Sequence, residues 1–157
     1  MSTTHARVRC MADVQPENVE WLWGGRIPRG KLSEVVGDPG EGKSTLVIQI
    51  VACISRGLAL PGDPDDRSRA PERVLLLSAE DGPGDTIRPR LDSAGADPSC
   101  VHIFDGIEDD EGTLSQLDLK SPDHRRRLAE VVSRLCVTLV VIDPITSYLG
   151  ATDLSST

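Results

Sequence analysis

The chain has 157 residues, of which 38% are hydrophobic and 27% charged, a size and balance that fit one globular domain with its own core. Its formal net charge of −8 argues against this piece being a nucleic-acid-binding surface by itself, because such surfaces are basic. No apolar run approaches a membrane span and the first nine residues lack an apolar signal core, so the expectation is a cytoplasmic protein with no membrane partner.

In chain order, an N-terminal arm, residues 1–29, has no clear periodicity but contains Trp21 and Trp23. Residues 30–157 read as a core domain. Residues 32–36 are short, apolar and β-branched and are closed by Gly37, which predicts a strand. Residues 43–56 are long, have few breakers and stop at Gly57, which predicts a helix. Residues 58–73 are rich in Pro, Gly, Asp and Arg and read as an exposed loop. Residues 74–78 predict a second strand, 86–94 a helix stopping at Gly95, and 101–104 a third strand. Residues 105–121 carry the acidic cluster Glu108, Asp109, Asp110 and Glu111 and read as another loop. Ser121 as cap and Pro122 at the first position open a helix to about Cys136. Residues 138–142 are the last apolar run. This β-α-β-α-β-α-β order predicts an α/β domain, mostly a parallel sheet with helices on both faces and right-handed crossovers.

The run Gly37-Asp38-Pro39-Gly40-Glu41-Gly42-Lys43-Ser44 fits G-x-x-x-x-G-K-[ST] without a gap. Its glycines let the backbone turn with positive φ and approach a phosphate closely. The exposed N–H groups then form an anion nest, and the following helix aims its positive end at the same spot. Lys43 supplies a mobile cation for the β- and γ-phosphates, and Ser44 a hydroxyl for magnesium. Thr45, the next residue, belongs to the same expected binding set. The expected ligands are ATP and Mg2+.

In an open parallel sheet, ligands bind beyond the carboxyl ends of the strands. The strand at 74–78 ends in Ala79-Glu80-Asp81-Gly82, the third at Asp105, and the last in Asp143-Pro144. An acid after an apolar strand, paired with a phosphate loop, holds the magnesium shell, here through water; that role falls to Asp143. Glu80 is the candidate to orient or deprotonate an attacking water. Asp81 is a candidate support or metal ligand, and Asp105 reads as loop-solvated.

Three segments together carry a resemblance: Trp21-Leu-Trp-Gly-Gly-Arg-Ile-Pro-Arg-Gly-Lys, Val74-Leu-Leu-Leu-Ser-Ala-Glu-Asp-Gly and Val140-Val-Ile-Asp-Pro-Ile-Thr-Ser-Tyr-Leu-Gly. From about Trp21 to Asp153 the chain resembles RecA-like P-loop ATPases of the RepA type, AAA-family enzymes that include plasmid and phage hexameric replicative helicases. The resemblance implies Glu80 as catalytic glutamate with Asp81 beside it, and Asp143 as the Walker B acid. It also implies single-stranded DNA as a partner through parts not in this chain, and, for the full-length protein, a homo-oligomeric, hexamer-like ring with an arginine from the neighbour completing each site. Such domains continue with a further helix and strands. The chain is therefore expected to be incomplete at its C-terminus, with an unpaired apolar sheet edge.

The motor ATPase has two competitors: a non-catalytic nucleotide-binding module, and a P-loop kinase of a small molecule. Trp21 and Trp23 read as packing residues. Arg125, Arg126 and Arg127 read as a solvated helix face. His5, His102 and His124 have no metal-ligand spacing. Thr146, Ser147 and Tyr148 read at least as well structurally as they do as nucleotide sensors. The four cysteines, Cys10, Cys53, Cys100 and Cys136, form no CxxC pair and read as small buried thiols.

Overall fold

A computed structural model describes residues 5–63 and 69–150. Residues 64–68 of the predicted first loop, residues 1–4 of the predicted arm and residues 151–157 of the predicted core lie outside the described residues. The chain forms two compact units that divide between Ser33 and Glu34.

In the first unit, a short 3-10 turn, Met11–Asp13, precedes two small strands, β1 (Trp21–Trp23) and β2 (Ile27–Pro28). They pair antiparallel, with Trp21 opposite Pro28. Leu22 and Trp23 are buried. The Arg26 guanidinium lies 4.8 Å from the Trp23 ring centroid, so the indole takes a cation on its face.

The second unit opens with α1 (Lys43–Arg56). Its buried residues include Ile48, Val51, Ala52 and Ser55, a three-and-four spacing that places one stripe inward. Gly57 ends it in the left-handed conformation, returning its N–H to the carbonyls of Cys53 and Ile54. Next comes β3 (Arg73–Ser78), four of whose residues are buried in succession, as expected for a strand covered on both faces. A single wide turn, Pro83–Ile87, then feeds α2 (Arg88–Ser93). β4 (Val101–Ile103) is followed by α3 (Pro122–Arg134), which Ser121 caps by accepting the N–H of His124, and by β7 (Val137–Asp143).

Within the predicted loop at 105–121 lies an antiparallel hairpin, β5 (Ile107–Glu108) and β6 (Leu114–Ser115). Asp109 turns it by accepting the N–H groups of Glu111 and Thr113. The acidic cluster is thus the tip of a hairpin.

The main sheet is parallel, in the order β4-β3-β7, with Leu75 opposite both His102 and Val140. Leu75 and Leu77 pack with Leu117 and Tyr148, backed by Leu128, Val131 and Val132 of α3. Successive strand residues point to opposite faces, and Leu76 lines a cleft together with Val47 and Ile48 of α1. Helices therefore cover both faces, and the fold is the α/β arrangement of a P-loop NTPase.

Two expectations are overturned. Residues 32–36 do not form a strand, and Leu32 and Val36 are 83% and 80% exposed. Strand propensity takes effect only against a neighbour, and no segment among the described residues pairs with this one. The cysteines are not all buried either: Cys10 and Cys136 are exposed, while Cys53 and Cys100 are partly covered. Burial raises the Cys53 thiol above its ordinary value, against the pull of Arg69.

Candidate functional site

The site begins where α1 begins. Among the described residues no side chain caps this helix, and no acid sits in its first turn, so its leading N–H groups are open to an outside acceptor. Gly42, the residue before the helix, has φ 84°, and a Cβ there would meet nothing within 4 Å among the described residues. Gly40 has φ 83° with the same open space. The loop at 37–42 is exposed, as is Thr45.

The loop's own charges are turned inward. Lys43 Nζ donates to the carbonyls of Gly37 at 2.9 Å and Asp38 at 2.8 Å. The Glu41 carboxylate accepts the N–H of Asp38 at 2.9 Å and lies where a side chain on Gly37 would have to stand. Glu41 therefore serves as an internal anion for the loop, a role that the motif pattern, which leaves its position free, does not reveal.

Sheet order brings in the second half. Ser44 Oγ donates to Asp143 Oδ2 at 3.4 Å, joining the first turn of α1 to the end of β7. β7 runs beside β3 with Ser78 opposite Asp143, so the turn after β3 lies at the same edge. Ala79 N–H donates to the Asp143 carbonyl at 3.2 Å, and Asp81 N–H donates to Ser78 Oγ at 3.2 Å. The Asp81 carboxylate accepts Arg90 Nη1 at 2.7 Å. Ser44, Ile48, Leu76, Asp81, Arg90 and Asp143 line a narrow cleft of about 30 Å³, room for water or a small ion.

The candidates therefore divide. Ser44, Asp81 and Asp143 meet at one cleft. Glu80 is exposed at the turn, does not line the cleft and makes no hydrogen bond or ion pair among the described residues. Asp105 is exposed. Arg90 was not legible in the sequence, where nothing in the spacing separates it from Arg88, which pairs instead with Asp92.

The donor set fits a magnesium triphosphate. A hydroxyl and a carboxylate are hard oxygen ligands for magnesium, which retains several waters and takes the rest of its shell from phosphate. Among the described residues no group of three or more His, Cys, Asp and Glu could hold a metal alone, so any ion here depends on those outside ligands.

Other candidates have structural partners. Arg125 donates to the carbonyls of Leu119 and Lys120, and Arg126 and Arg127 both hold Asp123. Tyr148 is buried in the core; burial, and secondarily the Asp143 charge, raise its hydroxyl above the ordinary value. His124 Nδ1 accepts the N–H of Asp118. A larger groove of about 610 Å³ beside Phe104, Ile107, Arg127 and Arg134 contains none of the predicted site residues. No helix among the described residues is long and apolar enough to cross a membrane.

The sequence model of one protein family, described as an AAA domain, matches residues 5–157. No curated protein and no solved structure matches the chain.

Proposed function

Since the chain belongs to the AAA domain family of nucleotide-binding ATPases, we propose that its phosphate loop binds Mg-ATP and that the domain hydrolyses it. The observation that carries this reading is the meeting of Ser44 and Asp143, 99 positions apart in the chain and 3.4 Å apart in space. A helix start with open N–H groups binds phosphate, and a hydroxyl and a carboxylate at its edge suit magnesium. Lys43 leaves its carbonyl partners to meet the β- and γ-phosphates. Ser44 and Asp143 would hold magnesium, Asp143 through water; the ion supplies charge neutralisation on the phosphate oxygens. Glu80 orients and deprotonates the attacking water.

The finer reading rests on the sequence resemblance: a RecA-like motor of the RepA type, coupled to single-stranded DNA and working as a hexamer-like ring. The net charge of −8 directs DNA contacts to surfaces other than this acidic one.

ATP turnover with magnesium, with and without single-stranded DNA, tests the reading. Turnover should rise with DNA, and Glu80→Gln should retain binding while losing about 10²-fold or more in kcat. Equal turnover in Glu80→Gln would remove Glu80 from the chemistry. A second reading, a nucleotide-binding switch without turnover, is favoured by the position of Glu80 outside the cleft. Tight Mg-ATP binding with no phosphate release, unchanged in Glu80→Gln, would establish it.

A further inference from the structure

We propose that Arg90 is a positioning residue: from α2 it fixes the turn of Ala79, Glu80 and Asp81, and so sets where the Glu80 carboxylate stands. The inference rests on the reading of this cleft as the ATP site.

Glu80 has no partner of its own among the described residues, so the backbone of its turn decides its position. That turn is held at three points. Ala79 N–H reaches the Asp143 carbonyl at 3.2 Å. Ser78 Oγ accepts the Asp81 N–H at 3.2 Å and donates to the Asp81 carbonyl at 3.3 Å. These are neutral bonds at or beyond the long end of the usual hydrogen-bond range. Arg90 to Asp81, at 2.7 Å, is the shortest and is charge-assisted. It also brings in a separate element.

That element is a firm support. Leu91 within α2 and Ile87 at the end of the turn that feeds it are buried, and the Arg90 carbonyl accepts the N–H of Ala94. The pair itself is partly open, with side chains 48% and 35% exposed. Ion pairs so exposed contribute little to global stability. Losing this one should leave the fold standing and loosen the turn. With Arg90 on its carboxylate, Asp81 supports the turn instead of binding metal.

Amide hydrogen exchange and steady-state kinetics on the whole chain test this together. In Arg90→Ala, the Ala79 and Asp81 amides should exchange about tenfold faster, while residues 75–77 keep their protection. The kcat for ATP should fall about tenfold with KM for Mg-ATP nearly unchanged, and Arg90→Lys should recover part of both effects. Three results would overturn the proposal: unchanged exchange at Ala79 and Asp81, faster exchange spread through β3 and α2, or a raised KM at constant kcat. If no variant, wild type included, turns over ATP, the hydrolase reading fails and the exchange pattern alone decides the role of Arg90.

Discussion

The Glu41 carboxylate holds the Asp38 N–H at 2.9 Å, inside a loop built to receive an anion. A phosphate entering the loop must displace this carboxylate or lie beside it. Glu41→Gln removes the charge and keeps the shape. Its affinity for Mg-ATP should rise about three- to tenfold, near 1 kcal/mol, read by calorimetric titration; an unchanged or weaker affinity would show that Glu41 shapes the loop without competing for it. At Asp123, hydrogen bonds from Arg127 and then Arg126 hold the carboxyl down at about 2. A lowered folded-state value contributes stability that is complete above the ordinary aspartate range and is lost as pH falls through about 2. The carboxyl carbon of Asp123 should titrate there by NMR, and Arg126→Ala with Arg127→Ala should return it toward the ordinary range.

Among the elements, α1 shows what a sequence can specify. Its inward stripe repeats at helical spacing and Gly57 stops it, so both ends, Lys43 and Arg56, were legible from local chemistry. Gly57 has φ 68°, and a Cβ there would lie 1.9 Å from the Arg69 carbonyl oxygen. Gly57→Ala adds left-handed strain, about 1 kcal/mol, to that clash. It should lower Tm by roughly 5 °C or more, at about 2–4 °C per kcal/mol for a chain of this size; an unchanged melting curve would mean that the loop after α1 gives way freely. Residues 32–36 show the opposite case. Their β-branched pattern is real, but pairing depends on which strands the fold sets alongside, and local pattern does not contain that information. The hairpin of β5 and β6 was hidden for a different reason: two residues per strand give no period to read.

At the scale of the whole molecule, the site comes from sheet order. The phosphate loop and Asp143 could each be read as motifs, and their types implied a partnership. That Ser44 touches Asp143, that the Ala79 turn is tied to β7, and that Arg90 reaches Asp81 all follow from β3 lying beside β7 with α2 at its end. Sequence spacing carries none of these contacts. Among the described residues β7 pairs on one side only, with β3, so its other edge presents unpaired backbone groups. The most direct test of the central claim is equilibrium binding of ATP, with magnesium and with a chelator, by the wild-type chain, Lys43→Ala and Asp143→Ala. Binding should be lost in Lys43→Ala, and in Asp143→Ala it should lose its dependence on magnesium. ATP binding that is indifferent to Lys43 and to magnesium, or no ATP binding by the wild-type chain, would contradict the account.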